Sequence, residues 1–416
     1  MPGIRIIGNK GMKMRWLLPV RRGCPRHAAT AVLLAVMGMA APAHAEPPPF
    51  KIVWTRGVCS HCQMAQGFGG MVFADGKKLW ALGYLAPPPE MGSQTGTVLR
   101  SRDGGRHWRE LRWSWTYPGY PGLPLASFAS AREGWVVPSD PAKMARLMFT
   151  RDGSTWRRLP QHEFFYSLEA IQYFGQGRGF AVGVPAEDSS PTVFYQTGDG
   201  GRHWRKQRLP AGRISIDRMR FVNQRQGYIA GCLDHRLVIL ATPDAGHGWF
   251  KTELPAPPGD PRLGVCSLRI DGLLAVGQRE VWLLGVKRDF GLHDNQGQAK
   301  VWRTTDGGHT WSETYQGHWT EDMGEPDPSP GSIGFYLSSP AVAFSGPFAL
   351  GDKLIMLFKD AGNGKGEALY TTDQGQHWSS VPLPHFITSC AQARSALVCS
   401  ASAYPGFRLA TLTLGS

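Results

Sequence analysis

The sequence predicts an all-β chain wound into a β-propeller, and three observations lead there. An eight-residue pattern, S/T-x-D-x-G-x-x-W, recurs along most of the 416 residues. A short apolar strand, usually built on glycine and an aromatic residue, precedes each copy. The composition holds 52 glycines, 32 prolines and 15 tryptophans with only 19% charged residues, which suits many short strands joined by tight turns.

Five copies of the pattern are complete: Ser101–Trp108, Thr197–Trp204, Thr242–Trp249, Thr304–Trp311 and Thr371–Trp378. A sixth, Thr150–Trp156, is one residue short. Successive first residues lie 49, 47, 45, 62 and 67 positions apart, the period of a repeat architecture. Within each copy the aspartate (Asp103, Asp152, Asp199, Asp244, Asp306, Asp373) is expected to accept turn N–H groups, and the hydroxyl to bond across the turn. The glycine supplies a positive φ. The tryptophan heads the next strand and offers a large face to the neighbouring unit. These aspartates are therefore expected to be structural.

The preceding strand recurs as Leu79–Gly83, Gly134–Val137, Gly179–Gly183, Gly227–Gly231, Val281–Gly285 and Leu354–Phe358. With another strand before it, such as Ser215 to Val222, each unit reads as strands A, B and C, the box, then strand D. Four-stranded units of roughly 45 residues round an axis make a propeller. Six units carry the boxes. After them come Ile387–Gln392, Ala396–Ser402 and Arg408–Leu414, three strands lacking a fourth, which Phe50–Trp54 can supply. Seven blades closed by the two termini follow, with six blades and an appendage as the fallback.

Residues 1–45 read as a signal peptide: Arg5, Lys10, Lys13, Arg15, Arg21, Arg22 and Arg26, then the apolar run Ala28–Ala41, then Ala43-His44-Ala45. Residues 46–416 are then one propeller domain in the periplasm or outside the cell. The formal net charge of +13 falls to +6 once those seven basic residues leave. That mild surplus argues for no nucleic-acid partner, and no stable membrane insertion is expected after the leader is removed.

Six cysteines remain: Cys59, Cys62, Cys232, Cys266, Cys390 and Cys399. Export favours disulfides, but six cysteines allow fifteen pairings. Cys59-Ser60-His61-Cys62 with Met64 could hold copper or zinc. No second CxxC pair completes a structural zinc site, so a disulfide is favoured and no metal or cofactor is expected.

The box pattern resembles the Asp-box, or BNR-repeat, propellers. That group includes sialidases, related glycosidases, sortilin-type receptors and the photosystem II assembly and stability factor. The Gly-aromatic strand paired with T-x-D-G-G-x-x-W looks most like the assembly-factor group and its bacterial relatives. The resemblance implies the fold and suggests an assembly role, since one fold hosts many functions. A sialidase would further need a Phe/Tyr-Arg-Ile-Pro signature in the first blade, which is missing here, and a matched acid and nucleophile. A glycoside hydrolase or glycan-binding module is the alternative reading.

Topology puts the boxes at the C–D turns and collects the D–A and B–C connections on the opposite face. Those connections are rich in aromatic residues: Trp113, Trp115, Tyr117 and Tyr120; Phe164, Phe165 and Tyr166; and Trp319 beside His318 and Glu321. They are the expected binding surface for a protein partner or a glycan. Arg106, His107, Arg202, His203, His309 and His377 are expected to form a solvated ring on the box face.

Overall fold

The computed structural model describes residues 47–59, 65–85, 96–111, 125–137, 147–159, 165–185, 192–210, 212, 214–256, 266–290, 295–321, 344–362, 364–393, 395–401 and 407–415. Among them every regular element of three residues or more is a strand, and the propeller forms the compact unit Pro48–Ser416.

Strand β1 is Phe50–Gly57. Blade one follows as β2 (Ala65–Asp75), β3 (Lys78–Leu85), β4 (Gly96–Ser101) and β5 (Trp108–Glu110). Blade two is β6 (Leu125–Phe128), β7 (Gly134–Val137), β8 (Met148–Thr150) and β9 (Trp156–Arg158). Blade three is β10 (Phe165–Gly175), β11 (Arg178–Pro185), β12 (Val193–Thr197) and β13 (Arg205–Arg208). Blade four is β14 (Ser215–Phe221), β15 (Gly227–Leu233), β16 (Arg236–Thr242) and β17 (Phe250–Glu253). Blade five is β18 (Arg269–Val276), β19 (Glu280–Phe290), β20 (Asn295–Thr304) and β21 (Ser312–Glu321). Blade six is β22 (Phe344–Leu350), β23 (Leu354–Gly362), β24 (Lys365–Thr371) and β25 (Ser379–Leu383). Blade seven is β26 (Ile387–Ala393), β27 (Ala396–Ala401) and β28 (Phe407–Leu414), completed by β1.

The chain is thus a seven-bladed propeller of four-stranded antiparallel sheets. The terminal closure read from the sequence is borne out: β1 pairs β28 from Phe50↔Leu414 to Gly57↔Phe407. Pairing the termini leaves blade seven no shorter than its neighbours and covers the edge of β28.

Among the described residues the core lies mainly between blades, with one small cluster, Ala181, Val193 and Tyr195, inside blade three. Seven apolar clusters fill the seven junctions between adjacent blades. Phe180, Phe194 and Phe221 join blades three and four; Tyr228, Ile270, Leu283 and Trp302 join four and five. Each sheet is buried on both faces, so the B strands read as continuous apolar runs rather than alternating ones. The first strands neighbour one another in the closed cycle β2, β6, β10, β14, β18, β22, β26, and so surround the axis.

The boxes behave as the sequence predicts. In blade three the Thr197 hydroxyl donates to Asp199 Oδ1 at 2.9 Å and accepts the Gly201 N–H at 3.0 Å. Asp199 Oδ1 also accepts the N–H groups of Arg202 and His203, both at 3.0 Å, and Oδ2 meets His203 Nδ1 at 2.6 Å. Two successive residues then take positive φ, 83° at Gly200 and 94° at Gly201. The complete boxes share this pair, with Ala245 (65°) and Gln374 (67°) standing where the others have glycine. The short box has one such residue, Gly153 at 66°. Box tryptophans pack on the preceding blade, as Trp204 does on Trp135 (centroids 5.4 Å apart) and Trp378 on Tyr315 (5.4 Å).

Candidate functional site

Strand A of a propeller blade has a sheet neighbour on one side and the axis on the other. Both faces of the blade are covered by its neighbours, so a solvent-exposed residue within strand A meets the axial channel. In six blades this strand carries an irregularity of register near its start: at Phe68/Gly70, Leu168/Ala170, Ile216/Arg218, Ile270/Gly272, Ser345/Phe348 and Ile387/Ser389. An extra residue there re-aims its side chain out of the ladder. In blades three, four and five the extra residue is acidic: Glu169, Asp217 and Asp271.

These carboxylates are tied to neighbouring groups. Asp217 Oδ2 accepts the Ile270 N–H of blade five at 3.0 Å, and its Oδ1 lies 3.4 Å from Arg269 Nε. Burial pushes the Asp217 carboxyl up, against the Ile270 N–H, Arg269 and Arg218, which favour its charge. Arg218 donates to the Asp271 carbonyl at 3.0 Å and reaches its carboxylate at 3.8 Å. All the charge of the inner strands, apart from Asp75 at the end of β2, lies on blades three to five: Glu169, Asp217, Arg218, Arg220, Arg269 and Asp271. The channel therefore has one charged arc and one neutral arc.

Similar cross-blade ties run round the ring. Ser127 Oγ accepts the Tyr173 N–H at 2.9 Å, the Gln172 amide binds both backbone groups of Phe221 at 2.7 and 2.8 Å, and the Ser345 hydroxyl donates to the Ile387 carbonyl at 2.6 Å. Between blades five and six the backbones touch: a Cβ on Gly272 would stand 1.6 Å from the Gly346 carbonyl oxygen. The sequence reading missed this arc. Its signal was present as Leu168-Glu169, Ile216-Asp217 and Ile270-Asp271, an aliphatic-acidic pair opening three successive units.

Of the aromatic surface, Trp113, Trp115, Tyr117, Tyr120 and Phe164 lie outside the described residues, as do the side chains of Phe165, Tyr166 and Trp319. The backbone corrects two placements. Phe165 and Tyr166 open strand β10 rather than filling a loop, because β10 starts early and pairs Phe165 with Pro185. His318, Trp319 and Glu321 belong to β21 rather than to the connection after it, because β20 is long enough to pair with them: Gln298↔His318, Gly297↔Trp319 and Asn295↔Glu321.

This extension sets blade five apart. Its B and C strands pair over ten residues, against three to seven in the other blades. Its D strand has ten residues, against three to five in blades one to four and six. The A–B pairing stops at Arg269↔Val286. Beyond it β19, β20 and β21 continue as a three-stranded tongue at the end of the blade opposite its box, about 13 Å long at four residues per strand.

The box face matches its description as a solvated ring: Arg106, His107, Arg202, His203, His309 and His377 are all exposed. His107, His203 and His377 each place Nδ1 2.6 Å from their own box aspartate. The N–H of His107 is the main influence holding the Asp103 carboxyl down at about 2. At Asp199 burial opposes ionisation, and the His203 N–H, its imidazole, the Thr197 hydroxyl and the Arg202 N–H together still bring it to about 2. Cys59, Cys232, Cys266, Cys390 and Cys399 are all disulfide-bonded, with Cys232 joined to Cys266 and Cys390 to Cys399. Cys62 lies outside the described residues.

No protein-family model and no curated protein matches the chain. Solved structures similar to it include the GH74 xyloglucanase from Xanthomonas campestris, at 13% identity and TM-score 0.50, over 85% of this chain and 53% of that one. The chain spans about half the length of that enzyme. The β-propeller domain of Cps50 (Swd1) from Myceliophteria thermophila aligns at 12% identity and TM-score 0.50, over 88% and 100%. The NanB sialidase from Streptococcus pneumoniae aligns at 10% and 0.41, over 88% and 70%. At such identities the likeness is one of fold.

Proposed function

We propose that this chain is an exported, non-catalytic propeller that binds a protein partner at the end of the blades opposite the boxes. The observation that carries the reading is the blade-five tongue. Long edge strands are ordinarily avoided because they template pairing with other chains, yet here β19 to β21 run on past the body of the blade. The tongue includes Trp319, one of the aromatic residues singled out in the sequence, and aromatic anchors concentrate binding energy.

The carboxylates support a binding role over hydrolysis. All six box aspartates are engaged in their own turns. Asp217, whose carboxyl is pushed up like that of a general acid, has both oxygens engaged and a side chain only 7% exposed. The resemblance of the boxes to the photosystem II assembly-factor group supports assembly of a larger complex as the class of work. Five disulfide-bonded cysteines suit export.

The test compares two double variants in partner capture from the native envelope. Trp113→Ala with Trp319→Ala abolishes capture and leaves thermal stability nearly unchanged. Arg106→Glu with Arg202→Glu leaves capture intact. If only the arginine pair matters, and capture collapses with salt, the box face is the binding surface. Turnover of a glycoside panel that one carboxylate substitution abolishes sinks the non-catalytic reading.

A further inference from the structure

Four residues of strand A occupy one level of the ring, each opposite an aromatic residue near the start of strand B: Ser127↔Trp135, Gln172↔Phe180, Arg220↔Tyr228 and Leu274↔Trp282. Ser127 ties blade two to blade three and Gln172 ties three to four. Arg220 holds the matching position to tie four to five. Met219 and Phe221 pack into the cluster between blades three and four, so alternation sends Arg220 the other way, toward blade five. Yet among the described residues its guanidinium has no hydrogen-bond partner and no ion pair. The carboxylates nearest along the arc, Asp217 and Asp271, are taken by Arg269 and Arg218.

Arg220 is reached by solvent, but protein surrounds it on most sides, as expected at a channel wall. Burial lowers its proton affinity. An arginine stays ionised in such a place. A cation held by low-dielectric walls in a concave channel focuses an attractive potential for anions, and the planar fork of five donors suits two oxygens of one group.

We propose that the axial channel is an anion-binding site in which the Arg220 guanidinium grips a carboxylate or phosphate group presented along the axis. Arg218 and Arg269 are paired with Asp271 and Asp217, and the inner strands of blades six and one carry Ala349 and Phe73 at this level, which leaves Arg220 the cation that selects the ligand. The site stands apart from the blade-five tongue and does not depend on the partner reading.

Calorimetric titration of the full chain with inorganic phosphate and, separately, with tetraglutamate tests it. At least one probe binds, and which one binds tells a free oxyanion from an acidic peptide. Arg220→Gln weakens that binding tenfold or more without lowering the melting temperature. Arg220→Lys, which keeps the charge and loses the fork, falls between the two and serves if the glutamine variant folds poorly. Arg202→Gln on the box face binds as the parent does. Binding of neither probe, or equal binding by the parent and both Arg220 variants, overturns the proposal.

Discussion

Asp217 of blade four accepts the Ile270 N–H of blade five at 3.0 Å, so a carboxylate on one inner strand closes a backbone gap on the next. Asp217→Ala leaves that donor and Arg269 without their acceptor. The expected cost is about 1–3 kcal/mol, read from denaturant unfolding. Asp217→Asn retains an acceptor and is expected to lose less.

Asp217 and Asp199 carry opposite pH signatures. The Asp199 carboxyl is held down at about 2, so its stabilisation is present above the unfolded value near 4 and is lost as pH falls toward 2. The Asp217 carboxyl is pushed up, so its contribution is fullest below pH about 4 and is lost as pH rises through the folded value. Relative to the parent, Asp199→Asn loses least at pH 2, while Asp217→Asn improves from pH 4 to pH 7. Unfolding free energies at pH 2, 4 and 7 check both signs.

Ala245 stands at φ 65° where three of the other four complete boxes have glycine, a conformation that costs a residue with a Cβ about 1 kcal/mol. Ala245→Gly is expected to stabilise the fold by about 0.5–1 kcal/mol. Gly246→Ala is the contrasting variant. It combines φ 88° with a Cβ 2.6 Å from the Phe194 ring, and it lowers the melting temperature.

The closing strand supplies a fourth stability test. Phe50 is buried in the junction of blades six and seven, with its ring 5.3 Å from Tyr370. Phe50→Ala is expected to cost about 3 kcal/mol, and removing Phe50–Gly57 uncovers the edge of β28 and promotes association visible in light scattering.

Much of the fold was legible because the boxes impose local chemistry. A hydroxyl, a carboxylate and a glycine at fixed spacing dictate a turn whatever surrounds it, and Thr197, Asp199 and Gly201 carry it out as read. The Gly-aromatic strands were legible because burial on both faces erases alternation. The inner arc was not, because Asp217 gains its role from Ile270, fifty-three residues away and on another blade. The tongue was missed for a related reason: Gln316–Glu321 has no strand pattern of its own and is held by pairing with Asn295–Lys300. Cys232 and Cys266 were open among fifteen pairings until β15 and the approach to β18 set them together.

The central claim is that a partner docks at the tongue end of blade five. A photo-crosslinking amino acid placed at His318, exposed on the tongue, and another at His107, exposed on the box face, test it in the native host. The account predicts one dominant protein adduct from position 318 and none from 107. Adducts from position 107 alone would contradict it.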